Sequence, residues 1–418
     1  MQEATSGPLP DTVKDSDHSQ SLKQMAGRLL FIGLPGTKLE RHTRRMLSEV
    51  CPGGVILFGR NVASAAQVAL LTAQIRDAVG HKVVIGVDQE GGLVDRLREI
   101  CEPAPAAKAV REAGSSELAQ RFGELTARAL RLLGFNMNFA PVLDLGGGNE
   151  NNGLRGRTFG TQPAEVSRLA GAYLDGLQGG RIVGCGKHFP GLGGSGIDSH
   201  RRMPIVTHTW EEIFERDLVP FMDLMFHRPG ERLRSVMVSH AAFPGVSEFL
   251  QAWFRRTGDL PTLSELHQLP ATISSNVVMR LLRRALKYEG LVITDDMEMG
   301  AVVQTLSVAE ASLRAIEAGS DMVLICEQEA NFVAARDLIV EAVETNRIRV
   351  EALEKAGERI DRALAAAGDY EAFDQEEFDA VSRDIGELKR ALKAAENNEE
   401  YTPLYGTPEG GVRRSSNF

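Results

Sequence analysis

Two clusters in this sequence could carry acid, base and nucleophile chemistry. The run Leu291-Val292-Ile293-Thr294-Asp295-Asp296 drives a pair of carboxylates straight out of an apolar segment. A carboxylate there is partly desolvated, which is unfavourable unless a partner or a reaction uses its charge. The second cluster starts at Lys187 and His188, leaves its apolar run as a loop carrying Gly191, Gly193, Gly194 and Gly196, and reaches Asp198 and His200. Asp198 and His200 lie two apart, so in extended chain they share a side. The carboxylate can then hold one imidazole nitrogen while the other faces a substrate. One carboxylate as nucleophile with a separate proton donor is what retaining glycoside hydrolysis requires, because its oxocarbenium-like transition state needs an anion beside it. Plainer readings stand beside both: a helix N-cap or salt bridge for Asp295-Asp296, and an Asx-turn with an exposed histidine for Asp198 and His200.

A third group, Asp88 and Arg96 separated by Gly91-Gly92, is either a polar turn before a helix or a place where Asp88 accepts hydrogen bonds from sugar hydroxyls. Arg157, Lys187 and His188 would add donors for hydroxyl or carbonyl oxygens. The glycine-rich loop lacks the order G-x-x-x-x-G-K-[ST] of a phosphate cradle and the amphipathic helix that follows one. The histidines show neither H-x-x-x-H nor H-E-x-x-H spacing, so no metal is expected.

Short apolar runs of strand length alternate with longer segments at helical spacing, the pattern of βα units around a parallel sheet. The runs fall at 28–34, 54–58, 83–87, 135–142, 182–189, 235–241, 291–295 and 322–326. Eight of them favour a closed α/β barrel of the (β/α)8 TIM type over an open sheet. Catalytic groups of such a barrel sit at the C-terminal strand ends. Here Asp88, Asp144, Lys187-His188, His240 and Asp295-Asp296 each follow a different run.

Residues 1–23 are polar without apolar period and predict a disordered arm; 24–368 form the catalytic barrel; 369–418 predict one helix and a flexible tail. The chain has 418 residues, is 43% hydrophobic and carries a net charge of −10, which disfavours nucleic acid and anionic membranes as partners and fits a small carbohydrate. No apolar stretch is long enough to span a bilayer, and the beginning lacks the basic and apolar regions of a signal peptide, so a cytoplasmic location is expected. The four cysteines, Cys51, Cys101, Cys185 and Cys326, are far apart and read as buried free thiols.

Taken together, GGVILFGRNV (53–62), VDQEGGLVDRL (87–97), FAPVLDL (139–145), GRTFG (156–160), KHFPG with DSH (187–200) and ITDDMEMGA (293–301) resemble the single-domain β-N-acetylhexosaminidases of glycoside hydrolase family 3, in the family's order. The likeness covers residues 25 to 365, with AIEAGSDMVLIC (315–326) as the usual last strand. It implies that Asp295, and not Asp296, attacks the anomeric carbon. It also implies that His200 protonates the leaving oxygen and later activates water, with Asp198 orienting it. Asp88, Arg96, Arg157, Lys187 and His188 would grip the sugar, and no cofactor would be needed.

The sequence departs from that pattern in three places. Leu192 and Gly194 stand where the family loop has histidine and an acid or amide, Leu93 stands for an arginine, and about 25 residues between Pro244 and Pro270, including Trp253, exceed the short family connection. Removal of terminal β-linked N-acetylglucosamine from a cell-wall fragment, as in peptidoglycan recycling, is the leading expectation. Phosphorolysis by a β-N-acetylglucosaminide phosphorylase is an alternative, because a histidine does not repel phosphate as a carboxylate does. A sugar-binding barrel with impaired catalysis is another.

Overall fold

The computed structural model describes residues 11–147, 153–195, 203–227, 232–257, 269–304 and 306–397. Eight parallel strands close into a barrel in chain order. They are β1 Leu30–Gly33, β2 Gly54–Leu57, β3 Val84–Val87, β4 Met137–Asn138, β5 Val183–Phe189, β6 Ser235–Val238, β7 Leu291–Asp296 and β8 Met322–Ile325. Each lies within or at the edge of one of the eight apolar runs. β8 pairs back onto β1, with Phe31 opposite Leu324.

The strands are buried on both faces, which is why they read as continuous apolar runs and not as alternating ones. Alternate residues part into two cores. Phe31, Ile56, Met137, Phe139, Met237, Ile293 and Leu324 fill the barrel interior, while Ile32, Val55, Leu57, Ile85, Val236 and Val323 meet the surrounding helices. The interior is crowded by Phe31 and Phe139, whose rings lie 5.3 Å apart. Glycine makes room for them: a Cβ on Gly54 would sit 2.5 Å from the Phe31 ring.

The N-terminal mouth is closed by the helix Val350–Ala367, which lays Ile360, Ala363, Leu364 and Ala367 onto the interior cluster. Outside it, the helix Gln375–Glu396 buries Phe378, Val381, Ile385 and Leu388 against the helices Ala107–Ala113 and Ser116–Leu132. The first helix runs Asp11–Arg28, where the sequence suggested an unordered arm up to residue 23. Its sparse apolar residues suffice because Leu22 and Ala26 dock into the core beside the helices Glu329–Glu344 and Val350–Ala367. The long connection after β6 contains the helix Pro244–Thr257, in which Trp253 falls, and Phe249 of that helix stacks on Trp210 at 4.1 Å. No helix among the described residues is long and apolar enough to cross a membrane.

Candidate active site

At the C-terminal ends of the strands the chain builds a pocket of about 220 Å³. Asp88, Arg96, Arg157, Lys187, His188 and Asp295 all line it, joined by Glu90, Leu192, Asp296, Phe58, Met237, Met299, Leu324 and Cys326 among others. Residues as far apart in sequence as Phe58 and Cys326 are thus brought around one pocket by the barrel's closure.

The turn after β3 is held from below. Gln89 donates to Asp95 Oδ1 at 2.8 Å and accepts from the Arg96 amide at 2.9 Å, while Asp95 takes the Ala104 amide at 2.8 Å. Gly91 and Gly92 make the turn possible, with φ of +85° and +58°; a Cβ on Gly91 would meet the Pro105 carbonyl oxygen at 2.0 Å. This frame aims Asp88 and Glu90 into the pocket. Glu90 is the residue that the sequence reading did not single out. Its two oxygens take Arg157 Nε and Nη2, both at 2.8 Å, and one of them also takes Lys187 Nζ at 2.6 Å. Lys187 donates in addition to Asp88 Oδ1 at 2.6 Å.

Burial by itself would raise the Glu90 carboxyl, but Arg157 and Lys187 overcome it and hold the group far below the usual carboxylate range. For Lys187 burial opposes the charge, and Asp88 and Glu90 more than restore it, so the ammonium stays above its ordinary range. Arg96 stands nearby, 3.9 Å from Asp88 and 5.7 Å over the Phe58 ring, with its Nε buried and unpartnered. That nitrogen is a donor waiting for an acceptor, since a buried N–H without one is unfavourable.

His188 follows on β5. Its Nδ1 lies 2.6 Å from Asp144 Oδ2, and Asp144 also takes the amides of His188 and Leu192, at 3.2 and 2.6 Å. This fixes the ring and leaves Nε2 toward the pocket. Asp144, at the exit of β4, is a second residue whose part was not foreseen; its signal was a lone acid after FAPVL.

Asp295 and Asp296 share the end of β7 but not their chemistry. Burial pushes Asp295 up, yet His240, His188, the Asp296 amide and Lys187 outweigh it and keep the carboxyl below its ordinary value. Asp296 is pushed up to about 7 by burial, with the Asp295 and Glu298 charges adding to it. Two neighbouring acids are thereby driven apart, one ionised and one protonated near neutrality, which is how one site separates roles between carboxyls. The loop beyond is tied to the one after β8 by Glu298, which takes the Cys326 and Gln328 amides at 3.0 and 3.1 Å.

Asp198 and His200 lie outside the described residues. The chain on either side is joined by an antiparallel bridge between Ser195 and Val206. Of the departures, Leu93 is 72% exposed and lines no part of the pocket. Leu192 is buried, and Gly194 lies under His208, where a Cβ would come within 2.4 Å of the ring. His208 is in turn paired with Asp217 at 2.6 Å.

A (β/α)8 barrel with an acidic pair at the end of β7, beside cations and one unsatisfied donor suited to a hydroxyl, is the frame of a glycoside hydrolase. Residues 20–363 match the glycosyl hydrolase family 3 N terminal domain. The β-hexosaminidase of Tolumonas auensis is 33% identical over 310 residues, spanning 74% of this chain and 85% of that protein. That of Pseudomonas aeruginosa LESB58 is 33% identical over 304 residues, spanning 72% and 83%. Among solved structures, a family 3 β-N-acetylglucosaminidase from Paenibacillus sp. str. FPU-7 is similar with a TM-score of 0.76 and 32% identity, over 88% of this chain and 68% of that one. A β-N-acetylhexosaminidase from Beutenbergia cavernae is similar at 0.70 and 25%, over 82% and 98%. The chain belongs to glycoside hydrolase family 3, and it is a glycoside hydrolase acting on O-glycosyl bonds.

Proposed function

We propose that this chain removes terminal β-linked N-acetylglucosamine by double displacement, with Asp295 as nucleophile and His200 as acid and base. The observation that carries this is the split between Asp295, held ionised, and Asp296, raised to about 7. In the first step an Asp295 oxygen bonds to the anomeric carbon as the bond to the leaving oxygen breaks, and His200 gives that oxygen its proton. In the second, His200 takes a proton from water, the water oxygen bonds to the same carbon, and the electron pair of the ester bond returns to Asp295. Two inversions leave the β configuration intact. Asp198 orients His200.

The sugar is gripped by Asp88, Arg96, Arg157, Lys187 and His188. The unpartnered Arg96 Nε and the half-buried Asp88 are placed to take hydroxyls as donor and acceptor. A pocket of about 220 Å³ lies below the ~300–1,000 Å³ of pockets for drug-sized ligands, which suits one ring at a chain end. The names of the relatives, β-hexosaminidase and β-N-acetylglucosaminidase, support an N-acetylated sugar. We place the reaction in the cytoplasm, on cell-wall fragments; the four free thiols suit a reducing compartment.

Trapping with a 5-fluoro N-acetylglucosaminyl donor should add one sugar to the intact mass, on the peptide that contains Asp295. An adduct elsewhere, or full turnover by Asp295→Ala, would overturn the assignment. Running aryl N-acetyl-β-glucosaminide with and without phosphate tests hydrolysis against transfer to phosphate: free sugar in both is expected, and sugar 1-phosphate would favour the phosphorylase.

A further inference from the structure

The helix Gln375–Glu396 lies outside the stretch 20–363 that matches the family domain, yet it bears on the turn that frames the pocket. Its apolar face, Phe378, Val381, Ile385, Leu388 and Leu392, is buried, and its contacts fall chiefly on the helices Ala107–Ala113 and Ser116–Leu132. Asp384 adds ion pairs to Arg121 and Arg128 of the second of these, at 3.1 and 3.5 Å. The docked helix then reaches one step further. Ser382 Oγ accepts the Glu102 amide at 2.8 Å, and Lys389 Nζ donates to Glu102 Oε1 at 3.0 Å.

From Glu102 a short series of bonds leads to the pocket. The amides of Ile100 and Cys101 both bond the Leu97 carbonyl oxygen at 2.9 Å, closing a turn just before Glu102. The Leu97 amide bonds Gln89 Oε1 at 3.2 Å and Asp95 Oδ1 at 3.1 Å, and Asp95 Oδ2 takes the Ala104 amide, two residues beyond Glu102. Arg96 sits between the two anchored residues, Asp95 and Leu97. Its side chain, by contrast, is lightly held: the ion pair to Asp88 is 3.9 Å long, the Phe58 ring is 5.7 Å away, and Nε has no partner. The guanidinium therefore inherits its position from its backbone, and the backbone from the turn.

We propose that the C-terminal helix is part of the sugar grip, with Ser382 and Lys389 as positioning residues that hold Glu102 and, through the turn 95–104, keep Arg96 aimed at the substrate. This rests on the reading that Arg96 binds the sugar. Ser382 and Lys389 line no part of the pocket themselves. A grip on sugar hydroxyls that persists through the reaction acts on ground and transition states alike, so loosening it raises KM and leaves kcat as it was. A helix that served stability alone would, when weakened, lower the melting temperature and leave the KM of the folded protein unchanged.

The test uses the full chain and 4-nitrophenyl N-acetyl-β-glucosaminide, with KM, kcat and melting temperature measured for each variant. Ser382→Ala should raise KM about 3-fold, and Ser382→Ala with Lys389→Ala about 10-fold, the scale of one net hydrogen bond, with kcat within about twofold of wild type. Ser382→Thr keeps the hydroxyl and should restore KM. In an Arg96→Ala background the same pair of substitutions should raise KM no further, because residues that act through a lost group add nothing. An unchanged KM in the folded double variant, or a rise of equal size with and without Arg96, overturns the proposal. If the double variant does not fold, Ser382→Ala alone decides by the same two readings. Arg96→Ala by itself tells the failures apart: if its KM equals that of wild type, the grip reading falls and this one with it; if its KM rises while the Ser382 and Lys389 variants keep theirs, only this one falls.

Discussion

Two buried charge clusters, one at each end of the barrel, are built from the same materials and face different things. At the N-terminal ends Asp321 takes Arg283 at 2.5 Å, Arg359 at 3.0 Å and the Val292 amide at 2.8 Å. At the C-terminal ends Glu90 takes Arg157 twice and Lys187 once. Asp321 ties together β7, the helix Val350–Ala367 and the segment Asn276–Ala285, and lines no part of the pocket. Around Glu90 the partners themselves line the pocket, beside a half-buried Asp88 and an Arg96 nitrogen with no acceptor. Burial and pairing mark both clusters. What separates a strut from a site is hydrogen-bonding capacity left over at an open face, and in a barrel that face is the C-terminal one.

Substitutions at the two ends should therefore damage different quantities. The largest effect is expected for Asp295→Asn, which should lower kcat by about 10⁴-fold or more while leaving the melting temperature close to wild type. Glu90→Gln should damage both: kcat/KM falls by about 10- to 100-fold as Lys187 and Arg157 lose a charged partner, and thermal stability falls with it. Asp321→Asn should leave kcat per folded molecule unchanged and reduce stability by about 3 kcal/mol, because Arg283 and the partly exposed Arg359 lose their buried counterion. Calorimetry alongside steady-state kinetics checks all three. An Asp321 variant that kept its stability and lost turnover would erase the distinction between the ends.

The same comparison can be made against pH. Asp296 has an ordinary value of 3.8 and is pushed up to about 7. Between those values the folded protein keeps a proton that the unfolded chain has released, so this group makes stability fall as pH rises from about 4 to about 7. Glu90 works in the opposite direction: held below its ordinary 4.5, it contributes stability above that value, and the contribution is lost as pH falls through the acid range. In Asp296→Asn the first slope is gone. Its melting temperature relative to wild type should climb from pH 4 to 7 and level off above; a difference that stays constant would show that Asp296 titrates with an ordinary value.

How much of this was visible in sequence depended on distance along the chain. The eight apolar runs announced eight strands because parallel strands are buried on both faces. The run 135–142 holds only Met137–Asn138 as regular strand, and Pro141, which has no amide hydrogen to give, separates it from the isolated bridge between Val142 and Lys187. Asp295 was legible as an acid at the end of a buried strand. Glu90, in D-Q-E-G-G, looked like any turn residue, and its burial comes from a partner 67 positions away that no local pattern announces. His240 stood out as a polar residue at a strand end, but its contact with Thr272, 32 positions on across the long connection, was hidden for the same reason. The helix from Asp11 was missed because its own composition is polar and its order is borrowed from the helices it docks on.

Gly194 offers the finest test, because it asks whether a departure from the family pattern is damage or accommodation. Its backbone has no need of glycine, since its φ lies outside the left-handed region, but its space is taken: a Cβ would lie 2.4 Å from His208 Cε1 and 2.6 Å from Nε2. The neighbouring Gly191 is crowded by Asp217, the partner of His208, at 2.7 Å. Restoring an acid by Gly194→Asp should therefore not repair the loop but destabilise the protein by about 1–3 kcal/mol, the usual penalty for overpacking. In a His208→Ala background the ring is gone, and the same substitution should become nearly neutral. Four melting temperatures close this cycle. A Gly194→Asp penalty that is the same with and without His208 would mean that the ring does not occupy the space, and that the glycine is there for a reason of its own.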